Sequence, residues 1–235
     1  MSLTLKLLDG FELSHRDEPI PLSPACQRVV AFLALHDRQL RRVHVAGALW
    51  LDVSEERSCA NLRSALWRMR RYEIPVVHAT TTDVGLSRDV FVDVDELVAA
   101  ARRVLRGGAR DEEDIDGTYE TGELLPDWYD EWLEPERERL RQLRLHALEA
   151  TAEGLLESGR TAYAIDALMV GLRADPLRES LHRTLIRAHV AQGNTSEAVR
   201  CYQTYRGRLG NALGVSPSAQ MEALVGGLGV ALPAR

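Results

Sequence analysis

The chain has 235 residues, with 29 Lys and Arg against 35 Asp and Glu, a formal charge of −6 at pH 7. Its apolar (45%) and charged (27%) fractions are those of a folded globular protein of one or two domains, large enough to bury a core without staples. A uniformly acidic surface is repelled by a nucleic-acid backbone, so the charge sum taken alone argues against that partner.

No apolar run reaches the roughly 18–20 residues that cross a bilayer. Met1-Ser2-Leu3-Thr4-Leu5-Lys6 also lacks a signal peptide's charged-then-apolar layout. A cytoplasmic protein with no membrane partner is therefore expected. Cys26, Cys59 and Cys201 are odd in number, widely separated and without CxxC spacing, which points to reduced thiols. Lys6 is the only lysine, so arginine, whose planar fork suits phosphate and guanine, carries the positive charge.

The charge is unevenly placed. Residues 1–92 carry 12 basic and 11 acidic side chains, net +1, and residues 93–235 carry 17 and 24, net −7. The fifteen residues from Arg57 to Arg71 include five arginines and no acid. Such asymmetry points to a charged partner for one part of the chain.

In chain order, Leu3–Leu8 and Phe11–Leu13 form strands around the turn Asp9-Gly10. Pro19–Leu22 is extended. Ser23-Pro24 opens a helix whose buried face is Val29, Val30, Phe32, Leu33 and Leu35. Arg41-Arg42 is polar punctuation, and a short helix over about 43–51 turns Val45, Leu49 and Trp50 inward. A third helix follows Asp52-Val53-Ser54, begins with Glu55-Glu56 and runs to about Arg71.

On this third helix Leu62, Leu66 and Met69 make a narrow apolar stripe. The opposite arc holds Ala60, Ser64, Trp67 and Arg71, flanked by Asn61, Arg63 and Arg68. A solvated surface helix usually mixes both charge signs, whereas the fifteen residues from Arg57 to Arg71 carry no acid. Arg reads guanine, Asn reads adenine, and Ser or Arg grips phosphate. A β-hairpin over residues 75–87 follows, and Phe91–Val94 extends or closes the small sheet. Strands, three helices and a hairpin make a winged helix-turn-helix preceded by a β-meander.

The N-terminal strands, "LRSALWRMRR" (Leu62 to Arg71) and the hairpin resemble the OmpR/PhoB-type DNA-binding domain. They are most similar to the form found in Streptomyces antibiotic regulatory proteins.

Further along, Asp95–Leu105 is an amphipathic helix with Leu97, Val98, Ala101, Val104 and Leu105 inward. The acid cluster Asp111–Asp116 lacks EF-hand spacing and reads as a solvated turn. A long helix extends from Trp128 to about Ser158, with Pro135 near its start. Then a 34-residue repeat emerges: Gly159 and Gly193, Ala164 and Ala198, Leu168 and Tyr202. That period, with Gly between two helices and Ala on the second, is the tetratricopeptide pattern. Thr161, Thr195 and Ser216 are candidate N-caps. Helices around 95–105, 118–125 and 217–228 complete the bundle.

The stretches "LLPDWYDEWLEPERERLRQLRLHALEA", "DPLRESLHRTLIRAHVAQGNTSEAVRCYQTYR" and "LGVSP" resemble the bacterial transcriptional activation domain that follows the winged helix in the same family. The expected architecture is mostly α with a small β part: a winged-helix domain over 1–92 and a tetratricopeptide-like helical domain over 93–235.

The resemblance implies a sequence-specific activator that binds direct repeats in double-stranded DNA as side-by-side protomers and recruits RNA polymerase holoenzyme. Asn61, Ser64, Trp67 and Arg68 are the candidates for base edges, and Arg57, Arg63, Arg70 and Arg71 for phosphate. Trp67 could instead pack against the helix flank or the hairpin. In the wing, Thr80 and Thr81 offer hydroxyls to phosphate. The tip lacks a minor-groove arginine and carries Asp83, so a weak or steric wing is expected. An adaptor working through the tetratricopeptide-like surface is the alternative. No P-loop, GxGxxG, GxSxG or HExxH is present, so no enzyme, cofactor or metal is expected.

Overall fold

A computed structural model describes residues 3–36, 39–72, 75–107 and 122–228. The architecture is mostly helical with small sheets at the N-terminal end, a winged helix-turn-helix with a leading meander followed by a tetratricopeptide-like bundle. The acid cluster 111–116 lies outside the described residues.

The chain divides into two compact units, Met1–Val98 with Thr121–Arg139, and Ala99–Glu120 with Leu140–Arg235. This differs from a single division between residues 92 and 93. The "LLPDWYDEWL" stretch, assigned from sequence to the second domain, belongs by its contacts to the first.

In the first unit, β1 (Leu3–Lys6), β2 (Glu12–His15) and β3 (Glu18–Pro19) form the meander. Arg16 and Asp17, both at positive φ, make the two-residue turn that right-handed strand twist favours. β7 (Val90–Val92) pairs parallel with β1, Leu3 facing Val90 and Leu5 facing Val92. It thus completes the meander sheet, in the order β3-β2-β1-β7, instead of the hairpin's sheet. Alternate residues Leu3, Leu5, Leu7 and Leu13 are buried beneath it.

Three helices follow: α1 (Pro24–Leu35), α2 (Arg42–Leu49) and α3 (Glu55–Met69). Every expected core residue of α1 is buried. Ser23 occupies its N-cap position without capping, because its hydroxyl turns to the Cys26 Sγ at 3.2 Å. The hairpin is β5 (Val77–Ala79) and β6 (Asp83–Leu86). A strand unforeseen from sequence, β4 (Gln39–Arg41), joins the hairpin in a three-stranded sheet ordered β4-β6-β5.

The returning stretch is fixed by long-range bonds. Leu8 bridges Leu124, Leu125 N–H donates to the Leu7 carbonyl at 2.9 Å, and Asp9 N–H donates to the Glu123 carbonyl at 2.8 Å. Trp128 stacks on Phe11 at 6.0 Å and Trp132 meets Phe32 edge-on at 5.1 Å. Arg28 donates to Asp130 at 2.8 Å and to the Leu49 carbonyl at 2.7 Å, so one guanidinium ties this stretch to α1 and α2. Residues 122–125 are therefore bridge and turn, where a helix over 118–125 was expected; residues 118–121 lie outside the described residues.

α4 (Asp93–Gly107) starts at Asp93, whose carboxylate accepts the amides of Leu7, Leu8 and Val94 at 2.7–3.0 Å. Burial raises its pKa above the usual aspartate value despite those donors. Val94, Leu97, Ala100, Ala101 and Val104 are buried, whereas Leu105 is exposed, contrary to the sequence-based expectation.

α5 (Leu133–Glu157) begins at Leu133, five residues later than expected, because the preceding residues are committed to the contacts just described. In the second unit it pairs with α6 (Thr161–Ala174), and α7 (Glu179–Ala191) pairs with α8 (Thr195–Leu213). The repeat survives in atomic detail. Gly159 and Gly193 sit at φ 76° and 74°, and the next amide donates five residues back in both cases, Arg160 to Leu155 at 2.8 Å and Asn194 to His189 at 2.9 Å. Ala164, Ala198, Leu168 and Tyr202 are all fully buried.

α9 (Ala219–Gly226) is capped by Ser218, two residues beyond the expected Ser216, and its hydroxyl accepts from the Met221 amide at 3.3 Å. Thr161 and Thr195 open their helices from within and do not cap them. Glu179 holds α9, accepting from the Ser218 amide at 2.9 Å, the Ser218 hydroxyl, and the Tyr205 hydroxyl at 3.1 Å. Partial burial would raise its pKa, but these donors and Arg183 hold it below the ordinary range. Burial and the acceptor Glu179 push Tyr205 up to about 12.

Candidate nucleic-acid interface

α3 is set by local signals. The Ser54 hydroxyl accepts from the Arg57 amide at 3.4 Å, and Glu55 and Glu56 lie in the first turn, where the helix dipole favours anions. Ser58, Leu62, Ala65, Leu66 and Met69 form its buried stripe, wider than the three residues expected. The Cys26 thiol donates to the Ala65 carbonyl at 3.5 Å, placing this stripe against α1.

Arg57, Arg63, Ser64, Trp67 and Arg68 are exposed on α3, and Asn61 is half-buried. Arg70 and Arg71 are also exposed, but they fall in a 3₁₀ turn, Arg70–Tyr72, after α3 has ended at Met69. The Tyr72 hydroxyl donates to the Pro21 carbonyl and holds that turn. Trp67 is 62% exposed, with the Arg71 guanidinium 5.3 Å from its ring centroid. The ring therefore lies beside the turn that follows α3 and keeps most of its surface in solvent. The Ser64 hydroxyl donates to the Ala60 carbonyl at 3.0 Å, so in this state it offers lone pairs and not a proton.

The wing tip is internally bonded. Thr80 Oγ1 accepts from the amides of Thr82 at 3.3 Å and Asp83 at 3.0 Å. The Thr82 hydroxyl donates to the Asp83 carboxylate, which draws that charge back onto the turn. Thr81 is exposed. A cleft of about 690 Å³ opens between α3 and the wing, lined among others by Arg42, Cys59, Arg63, Arg70, Thr80 and Thr81. Sequence reasoning missed Arg42, because a basic pair between two helices gives no sign of where the fold will bring it.

Ion pairing separates the arginines of this face from others in the chain. Arg57, Arg63, Arg68 and Arg70 make no ion pair among the described residues. In the helical unit several arginines are neutralised, Arg141 by Asp175 at 3.0 Å, Arg178 by Glu149 at 3.6 Å, Arg183 by Glu179 at 3.7 Å, and Arg200 by Glu197, while Arg102, Arg106, Arg173 and Arg208 make no ion pair among the described residues. Unpaired cations gathered on α3 and the turn that follows it give a local positive field despite the net charge. Among the described residues no three His, Cys, Asp or Glu side chains gather as for a metal ion, and no helix is long and apolar enough to cross a membrane.

The fold and this face define a winged-helix protein with a helical-repeat unit. The family model described as bacterial transcriptional activator domain matches residues 91–228. The regulatory protein AfsR of Streptomyces coelicolor is 27% identical over 86% of this chain, and the chain spans 22% of AfsR. The regulatory protein DnrI of Streptomyces peucetius is 36% identical over 37% of this chain and 32% of its own length. Among solved structures, Mycobacterium tuberculosis EmbR, in complex with a low-affinity phosphopeptide, superposes with a TM-score of 0.78. It is 23% identical, and the match covers 96% of this chain and 64% of EmbR. The chain belongs to the bacterial transcriptional activator domain family, in its Streptomyces antibiotic regulatory protein branch.

Proposed function

We propose that the protein is a sequence-specific transcriptional activator that binds direct repeats upstream of a promoter and recruits RNA polymerase. One observation carries the reading: Arg57, Arg63 and Arg68 on the exposed face of α3 have no acidic partner among the described residues, whereas Arg141, Arg178, Arg183, Arg187 and Arg200 of the helical unit are paired. Two relatives named as regulatory proteins support it. In this reading α3 enters the major groove, with Asn61, Ser64, Trp67 and Arg68 at base edges and Arg57, Arg63, Arg70 and Arg71 on phosphates. Thr80 and Thr81 approach the backbone from the wing, whose contribution is chiefly steric. Side-by-side protomers one helical turn apart, roughly 10–11 bp, keep successive copies on one face of the duplex. The acidic helical unit supplies the protein-facing surface. The protein acts in the cytoplasm on the nucleoid and has no catalytic role.

Footprinting on a duplex enriched by the protein from a randomised pool tests this. Protection in phased direct repeats is expected, and Arg68→Ala abolishes it with the fold intact. Protection of an inverted repeat overturns the tandem arrangement. Absence of any sequence-dependent band favours an adaptor working through the helical unit.

A further inference from the structure

Arg42 lines the same cleft as Arg63 and Arg70, yet its bonding differs from theirs. It is half-buried, whereas Arg57, Arg63, Arg68 and Arg70 are exposed. Its backbone amide donates to the Thr82 carbonyl at 2.9 Å, and its guanidinium Nη1 donates to the Thr80 carbonyl at 3.0 Å. Both acceptors belong to the turn joining β5 to β6. Arg41, its neighbour, ends the β4–β6 ladder opposite Asp83. Arg42 is also the first residue of α2, so one residue links a helix start to the far end of the hairpin.

The turn needs such a tie. Thr80–Thr82 contains no glycine or proline, and its own closure rests on two threonine hydroxyls and one backbone bond, Thr80 N–H to the Asp83 carbonyl at 2.9 Å, all within the turn itself. Those bonds shape the tip but do not fix its position relative to α2, since every partner lies within the turn. A guanidinium bonded to the Thr80 carbonyl fixes the tip relative to α2, and through α2 relative to α3, which packs against it. The wall of the cleft opposite Arg63 and Arg70 is thereby held at a set distance from them.

We infer that Arg42 is a positioning residue: it clamps the wing tip and so sets the width of the cleft that receives one duplex backbone strand. This rests on the proposed function, since it assigns Arg42 a role in that same site. It explains how a wing without a minor-groove arginine contributes to affinity, as a rigid wall of fixed position and not as a reader.

Three measurements on the full chain test it, with the enriched duplex as probe. In the free protein, Arg42→Ala speeds amide exchange of the Thr82 and Asp83 amides about five- to tenfold, while far-UV circular dichroism is unchanged, because the Arg42 amide bond to Thr82 survives. On DNA, affinity falls about three- to tenfold, the share of one charge-assisted hydrogen bond at a partly exposed site. The slope of log affinity against log salt stays as in the unmodified protein. Arg63→Ala is the companion variant, and it lowers that slope by about 0.9, the value for one phosphate contact.

Arg42→Ala with unchanged wing exchange and a slope lowered by about 0.9 makes Arg42 a phosphate contact and overturns the clamp. Unchanged affinity for Arg42→Ala beside a responsive Arg63→Ala also overturns it while leaving the functional reading intact. If neither variant alters binding, or the unmodified protein shows no sequence-dependent binding, the functional reading fails and the clamp's role falls with it.

Discussion

Replacing Leu125 by Ala tests whether the chain beyond residue 120 is a working part of the winged-helix unit. Leu125 is fully buried, and its amide bond to Leu7 is a backbone contact that the substitution spares. Its φ of 44° is equally strained for Leu and Ala, so the difference between the two reports packing alone. A buried Leu→Ala change costs about 2–5 kcal/mol, depending on how far the cavity collapses. Set against roughly 5–15 kcal/mol for a folded domain, that is a large share. The assay is native-state amide exchange in the full chain, read on peptides covering β1 and β2. Their exchange should accelerate about 30-fold at the low end of that range and some thousands-fold at the high end, while α7 and α8 stay unchanged. Leu51→Ala is the control, since Leu51 is 64% exposed and its loss should cost under about 0.5 kcal/mol. Unchanged β1 exchange in Leu125→Ala, or equal acceleration by Leu51→Ala, refutes the assignment of this stretch to the first unit.

Other expectations follow from the same geometry. Gly159→Ala and Gly193→Ala each cost about 1–2 kcal/mol, because positive φ penalises a Cβ that meets no neighbour within 4 Å. Gly154→Ala, mid-helix and equally unobstructed, stabilises by about 0.5–1 kcal/mol, and denaturant titration should show the opposite signs. Glu179→Gln destabilises the α9 contact by about 1–3 kcal/mol at neutral pH. The folded pKa of Glu179 lies below its ordinary 4.5, so its contribution is complete above that value and is lost as pH falls through the folded one. The gap between variant and unmodified protein should therefore shrink in acid, and a gap constant from neutral pH to pH 3 sinks the assignment. Trp67→Ala should change stability by no more than about 1 kcal/mol, the worth of an exposed cation–π contact, yet weaken operator binding in a gel-shift. Destabilisation beyond about 2 kcal/mol would show that the ring's role is packing.

The features legible in the sequence are those whose causes lie within a few residues. The apolar stripe of α3, its Ser54-Glu55-Glu56 start, the hairpin and the buried face of α1 all follow from periodicity and end signals. The 34-residue repeat was legible because two glycines solve the same turn by the same left-handed φ. The arginines of the candidate site were also legible, since an acid-free run on one helix is visible in the composition. Their lack of partners was not, because an ion pair depends on what the fold brings near. The same holds for Ser64, whose proton is taken by a carbonyl one turn back.

The net charge of the chain illustrates the difference. Sequence alone divides −6 into +1 and −7 and locates five arginines on a short acid-free run. Tertiary structure decides which arginines remain uncompensated, by setting some, such as Arg28 of the first unit and Arg141 and Arg178 of the helical unit, beside carboxylates. It also decides that residues 122–139 complete the first unit, through bonds spanning more than a hundred positions, such as Glu123 N–H to the Asp9 carboxylate. No periodicity or cap announces such a contact, since its free energy comes from apolar surface and backbone groups that meet only after both segments have folded. Arg42 belongs to the same class: a basic pair between two helices in the sequence, and the tie of the wing tip in the fold.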